Sequence, residues 1–164
     1  MKTAILNQQE IEYKIRRIAF QIYESNLNES QIILAGIKNK GFTFAEKIKT
    51  CLEEISGINI RLVSLKLDKK NPLNGIEASI SSSEYKNESV IIVDDVLNSG
   101  STLIYAVNFF LDQPVKKIQT AVLVDRSHKK YPVKADFVGL SLSTSLSETV
   151  KVNFDSPYTA YLLE

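Results

Sequence analysis

Val90-Ile91-Ile92-Val93-Asp94-Asp95-Val96-Leu97-Asn98-Ser99-Gly100-Ser101-Thr102-Leu103 is the stretch that decides the fold. Its first four residues form the most continuous β-branched run in the chain and predict a central strand covered on both faces. The run stops at two adjacent carboxylates. A helix then begins near Thr102, with Leu103, Ala106, Val107, Phe110 and Leu111 on its apolar side and Pro114 beyond its end. In open parallel sheets ligands bind beyond the carboxyl ends of the strands, where this polar segment falls. The loop Asn98 to Thr102 enters a helix, so free N–H groups and the positive end of the helix dipole favour a phosphate there. Gly100 permits close backbone approach, and the hydroxyls of Ser99, Ser101 and Thr102 add donors. Asp94 and Asp95, just upstream, suit the vicinal hydroxyls of a ribose or a nearby divalent cation. Read together, the segment fits a phosphorylated sugar; read singly, its parts only end a strand and cap a helix. A Walker loop and a dinucleotide fingerprint are both absent. A receiver-type aspartate pair belongs after a first strand, whereas here about ninety residues precede the pair.

The same alternation extends outward on both sides. Asn7 and Glu10 form a capping-box pattern ahead of Ile11, Ile15, Ile18 and Ile22, whose spacing is one face of a helix. Ile32-Ile33-Leu34-Ala35 reads as a buried strand closed by Gly36. Phe44, Ala45, Ile48, Leu52 and Ile55 restore helical spacing up to Gly57. Extended segments follow at 58–67, 120–124, 137–140 and 150–154. Residues 68–88 form a polar stretch with Pro72, Gly75 and three consecutive serines, which predicts a mobile lid, with room for a short hairpin. The expected fold is α/β, an open and mostly parallel sheet flanked by helices, in one domain over 1–164.

Composition narrows the function. Twenty Lys and Arg against nineteen Asp and Glu leave a formal charge of +1, without the excess that accompanies broad nucleic-acid binding. One cysteine, Cys51, and one histidine, His128, exclude an intramolecular disulfide framework and disfavour a zinc site. No apolar run reaches the roughly 20 residues of a membrane span, and the start carries no signal-peptide pattern, so a cytoplasmic protein without a membrane partner is expected.

The central segment resembles the phosphoribosyl-pyrophosphate (PRPP) motif of type I phosphoribosyltransferases, and most of all the PyrR family of pyrimidine-operon attenuators that also act as uracil phosphoribosyltransferases. That family reads D-D-V-L-Y-T-G-R-T-V where this chain reads Asp94 to Leu103. ILNQQEI and RRIAFQI near the start, AGIKNKG at the first loop, AVLVDRSHKKYPVKADFVG and STSLSETVKV near the end are similar too. The resemblance implies that Asp94 and Asp95 bind the ribose hydroxyls of PRPP, and Asn98, Ser99, Gly100, Ser101 and Thr102 its 5′-phosphate. It implies a pyrophosphate loop at Lys38, Asn39, Lys40 and Gly41, which without the resemblance reads as a turn into a helix. Arg126, Phe137 and Val138 are implied to form the base pocket, although Phe137 equally suits a core position. Mg²⁺ is the implied cofactor, held mainly by PRPP. The implied partners are PRPP and a free nucleobase, uracil first and a purine second, in a homodimer or higher oligomer.

The sequence also departs from the family. A Tyr-Arg-Asp-Asp lid segment is replaced by Leu67-Asp68-Lys69-Lys70, which leaves Lys69 and Lys70 to meet pyrophosphate as point charges in place of an arginine fork. Ser101 and Lys40 stand where arginines are usual. In the first helix Arg16-Arg17-Ile18-Ala19-Phe20 replaces Thr-Arg-Ile-Ala-His, a segment that contributes to RNA binding in the family. Three readings follow: an active phosphoribosyltransferase, a nucleotide-responsive regulator that binds mRNA, and a non-catalytic PRPP-binding relative.

Overall fold

Along residues 1–164 of the computed structural model, strands β1 (Lys2–Leu6), β2 (Gln31–Ile37), β3 (Asn59–Leu67), β4 (Ile76–Ala78), β5 (Ser89–Leu97), β6 (Lys117–Asp125), β7 (Phe137–Ser141), β8 (Thr149–Asn153) and β9 (Thr159–Leu163) are joined by helices α1 (Gln8–Ser25), α2 (Lys40–Ile55), α3 (Ser82–Tyr85) and α4 (Ser101–Phe110). The main sheet has the order β4-β3-β2-β5-β6-β7, parallel except for β4. As expected, β5 is central, and Val90, Ile91, Ile92 and Val93 are fully buried. Ile91 and Val93 face one core with Ile32, Leu34 and the apolar stripes of α1 and α2. Val90 and Ile92 face the other, with Ile33, Ala35 and the buried side of α4. The α1 stripe is the predicted one, and its capping box is present: Asn7 Oδ1 accepts the Glu10 N–H at 2.9 Å while Glu10 Oε2 accepts the Asn7 N–H at 2.8 Å.

The chain leaves β2 toward β3 on one side, while β5 returns on the other. The strand order therefore reverses between β2 and β5, where the crevice beyond the strand ends suits a ligand. A second sheet, β1-β9-β8, is antiparallel and sends Leu6, Val150, Val152 and Ala160 into the first core. The pairing of β1 with β9 joins Lys2 to Leu163 and was not read from the sequence. Each strand alone is short, and most of β1 is exposed, so neither shows a buried run.

The stretch 68–88, the expected lid, carries local structure of its own. Ile76–Ala78 pairs antiparallel with β3, and Ser81 with Glu84 forms a capping box on α3. Tyr85 is buried against Phe109 and Phe110, and its hydroxyl donates to Asp112 Oδ1 at 2.5 Å. Burial first, and that carboxylate second, push the Tyr85 phenol up to about 12. An aromatic anchor and a capped turn thus fix the second half of the stretch, and from its first half Lys69 lines the crevice.

Candidate active site

The end of β5 is built around close contact with α2. A Cβ on Gly41 would lie 2.8 Å from the Val93 carbonyl oxygen and 2.9 Å from both Asp94 Cα and Asp94 Oδ1, so only glycine lets the first turn of α2 rest on this strand end. The same contact buries Asp94 to 2% exposure. Its Oδ1 accepts the Asp95 N–H at 2.9 Å. Burial first, then the neighbouring Asp95 carboxylate, push the Asp94 carboxyl well above the ordinary range; Lys69 Nζ, 3.6 Å from Asp94 Oδ2, offsets only part. Lys69 is half exposed, which weakens that ion pair. Asp95 is only partly buried and lines the cleft.

The loop after β5 has the geometry its residues predict. Gly100 is the N-cap of α4 at φ 89°, in the left-handed region that favours glycine, and the Ser101 N–H donates to Ser99 Oγ at 3.2 Å. The basic loop after β6 braces it from behind: the N–H groups of Lys130 and Tyr131 donate to the Ser99 carbonyl at 2.7 and 3.2 Å. A concavity lined by Asn98, Ser99, Gly100, Ser101 and Thr102 also meets Asp94 and Lys69. An adjoining cleft of about 430 Å³ joins Lys38, Asn39 and Lys40 to Lys69, Asp95, Asn98, Thr149, Val150 and Lys151. The Lys38–Asn39 peptide is cis. Most of the expected residues therefore converge, and the cleft carries four lysines beside one accessible carboxylate, Asp95.

Four expectations need correction. Phe137 is 5% exposed inside the first core and pairs with Ala121, four residues below the Ser141 rim of β7, a depth of about 13 Å. Its ring faces packing partners, away from the cleft. The Val138 carbonyl accepts from Arg17 Nη2 at 3.0 Å, and that of Gly139 accepts from the same nitrogen at 2.8 Å. Because β7 is an edge strand, this arginine covers carbonyls that would otherwise template further pairing. Arg126 is buried to 8% exposure and bonded to neighbouring loops, outside the cleft lining. Lys70 is exposed, makes no ion pair and does not line the cleft. The residues that sequence reasoning missed are Thr149, Val150 and Lys151. The signal for them was the alternation along β8, which buries Val150 and Val152 and leaves Lys151 exposed.

Similarity to known proteins agrees with this geometry. Residues 1–158 match the phosphoribosyl transferase domain. The Clostridium acetobutylicum protein called Bifunctional protein PyrR is 34% identical over 161 residues, covering 93% of this chain and 90% of its own. A protein of the same name from Fusobacterium nucleatum is 35% identical over 160 residues, covering 90% and 88%. The hypoxanthine-guanine phosphoribosyltransferase structure from Bacillus anthracis shares the fold, with a TM-score of 0.78 at 16% identity over 98% of both chains. The fold and the motif after β5 define a type I phosphoribosyltransferase domain. Within that class, the chain belongs to the PyrR family. No helix is long and apolar enough to cross a membrane.

Proposed function

We propose that the chain transfers the ribose 5-phosphate of PRPP to a nucleobase, uracil first, with release of pyrophosphate. The observation that carries this reading is the convergence of the Gly100-initiated helix end, the Asp94-Asp95 pair and the Lys38 to Lys40 loop on one crevice. The N–H groups of Asn98 to Thr102 hold the 5′-phosphate. Asp94 and Asp95 accept the ribose hydroxyls and stabilise positive charge developing at the ribose C1 carbon. A nucleobase nitrogen bonds to C1 as the bond from C1 to the pyrophosphate oxygen breaks, and the proton the nitrogen carried is released to water. Lys38, Lys40 and Lys69 neutralise the leaving group, and the crevice positions the two reactants. Thr149 and Val150 form the wall nearest the base.

The donor set fits Mg²⁺ bound chiefly through PRPP. No group of three or more His, Cys, Asp or Glu gathers into a protein-only site, yet two adjacent carboxylates adjoin the cleft. Mg²⁺ commonly takes one or two carboxylates together with substrate phosphates. Asp94 and Asp95 are the residues placed to support it, and when bound it supplies charge neutralisation on the pyrophosphate.

Purified protein incubated with PRPP, Mg²⁺ and each free base in turn tests the reading through pyrophosphate release; no release with any base overturns it. Lys69→Met is expected to raise the KM for PRPP about three- to tenfold, the modest loss of one half-exposed charge, while leaving the KM for uracil unchanged. Lys70→Met, outside the cleft, is expected to leave both within about twofold. Steady-state kinetics on the two variants checks this. The regulatory reading draws on the PyrR relatives. On α1 it has Arg16 exposed beside Phe20, with the guanidinium carbon 5.3 Å from the ring centroid, whereas Arg17 is engaged with β7. Salt-dependent binding to a structured leader RNA, strengthened by UMP, is its test.

A further inference from the structure

Arg126 is a buried cation with no carboxylate within ion-pair distance; the Glu148 carboxylate, held low first by the Ser145 N–H and less by Arg126, is too far to pair with it. Arg126 is 8% exposed and takes part in none of the ion pairs of the molecule. Its contacts all end on neutral oxygens: Nε donates to Thr144 Oγ1 at 3.1 Å, Nη1 to Asn98 Oδ1 at 2.8 Å, and Nη2 to the Ser145 carbonyl at 3.4 Å and to the Glu148 carbonyl. Removing a guanidinium from water without a counter-charge is costly, and hydrogen bonds to neutral oxygens offset only part of that cost.

The partners of Arg126 fall in two places. Asn98 begins the loop entering α4, where the free N–H groups favour an anion. Thr144, Ser145 and Glu148 form the turn that leads directly into Thr149 and Val150, the far wall of the cleft. That turn is held closed by the Glu148 carboxylate, which accepts the Ser145 N–H, and by His128 Nε2 against the Thr144 carbonyl. The planar fork of a guanidinium fixes the relative orientation of both sets of acceptors, which a flexible ammonium does not.

Resting on the phosphoribosyl reading above, we propose that Arg126 is a positioning residue: an anion on the Asn98 to Thr102 loop supplies its counter-charge, and Arg126 thereby orders the Thr144 to Val150 wall on which the base is held. Phosphate occupancy on one side of the cleft then prepares the other side.

Hydrogen exchange of the full chain with and without ribose 5-phosphate tests this, alongside uracil kinetics. In the wild type, ribose 5-phosphate is expected to slow exchange of amides in both 98–102 and 144–150, the latter by about tenfold. In Arg126→Gln, at saturating ribose 5-phosphate, the protection of 98–102 persists, that of 144–150 is lost, and the KM values for uracil and for PRPP both rise, because the coupling between the two sides is reciprocal. Asn98→Ala cuts the same link from the other end and leaves the arginine in place, so it gives the same loss at 144–150 should Arg126→Gln fail to fold. Arg126→Lys, which keeps the charge and loses the fork, is expected not to restore the protection. Protection of 144–150 that survives in Asn98→Ala and Arg126→Gln overturns the proposal. So does wild-type binding of ribose 5-phosphate without any effect on 144–150. Absence of ribose 5-phosphate binding by the wild type overturns the phosphoribosyl reading itself, and this inference with it.

Discussion

Asp94→Asn is expected to stabilise the ligand-free protein at pH 8 while reducing turnover of PRPP by about 10²–10³-fold, the range seen when a single transition-state electrostatic contact is removed. Both effects come from the same burial. Asp94 is 2% exposed beneath the first turn of α2, with Asp95 next to it, and burial and that second carboxylate raise its affinity for a proton. A carboxyl whose pKa is higher in the folded chain than in the unfolded one contributes stability that is fully present below its unfolded pKa and declines as pH rises through the folded value. The wild type therefore loses stability relative to Asp94→Asn on going upward from about pH 4. At pH 8 the expected gap is on the order of 1–3 kcal/mol, the cost of a poorly compensated buried polar group. For a chain of this size that raises Tm by about 2–4 °C per kcal/mol. Asparagine keeps the oxygen that accepts the Asp95 N–H but lacks the charge that ribose hydroxyls and the developing cation require. Thermal unfolding at pH 4, 6 and 8 beside steady-state kinetics measures both halves, and an Asp94→Asn protein less stable than wild type at pH 8 contradicts the account.

Gly41→Ala is the second substitution with a large expected effect. The added methyl meets the Val93 carbonyl oxygen at 2.8 Å and Asp94 at 2.9 Å, and these are a strand backbone and a buried side chain with little room to yield. Overpacking of this kind costs about 1–3 kcal/mol. The catalytic loss is expected to exceed what that destabilisation explains, because relief of the contact moves the start of α2, and the Lys38 to Lys40 loop with it, away from Asp94. Displacements of about 1 Å reduce rates by about 10²-fold where two reactants must be aligned. A methyl added to Gly57, just past the other end of α2, would meet no atom within 4 Å, so Gly57→Ala serves as a neutral control. Denaturant unfolding together with kcat/KM for both variants checks the contrast, and equal behaviour of the two refutes the close-packing argument.

Much of the fold was legible because its elements carry their own periodicity. Ile11, Ile15, Ile18 and Ile22 mark one helix face, and Val90 to Val93 mark a strand buried on both sides, as observed. The motif after β5 was legible for a related reason: a strand end, a glycine and hydroxyl residues entering a helix are contiguous, and their chemistry follows from local backbone geometry. Long-range pairing left weaker traces. The β1-β9 pair joins the two ends of the chain, and β4 is three residues long. Phe137 and Val138 were misplaced because a similar string does not tell how far along a strand a residue lies; the register with Ala121 and Val122 puts them below the rim.

The sequence by itself determined the alternation of strands and helices, the family, and the local cradle after β5, since each is written in neighbouring residues. Only the tertiary structure decided which of the remaining residues share the crevice. It brought Lys69 to Asp94, placed Thr149 to Lys151 in one cleft with Lys38, left Lys70 outside, and turned Arg126 inward between two loops. The physical reason is that these proximities depend on strand order, register and the burial of one glycine against a strand end, which are properties of packing between segments far apart along the chain.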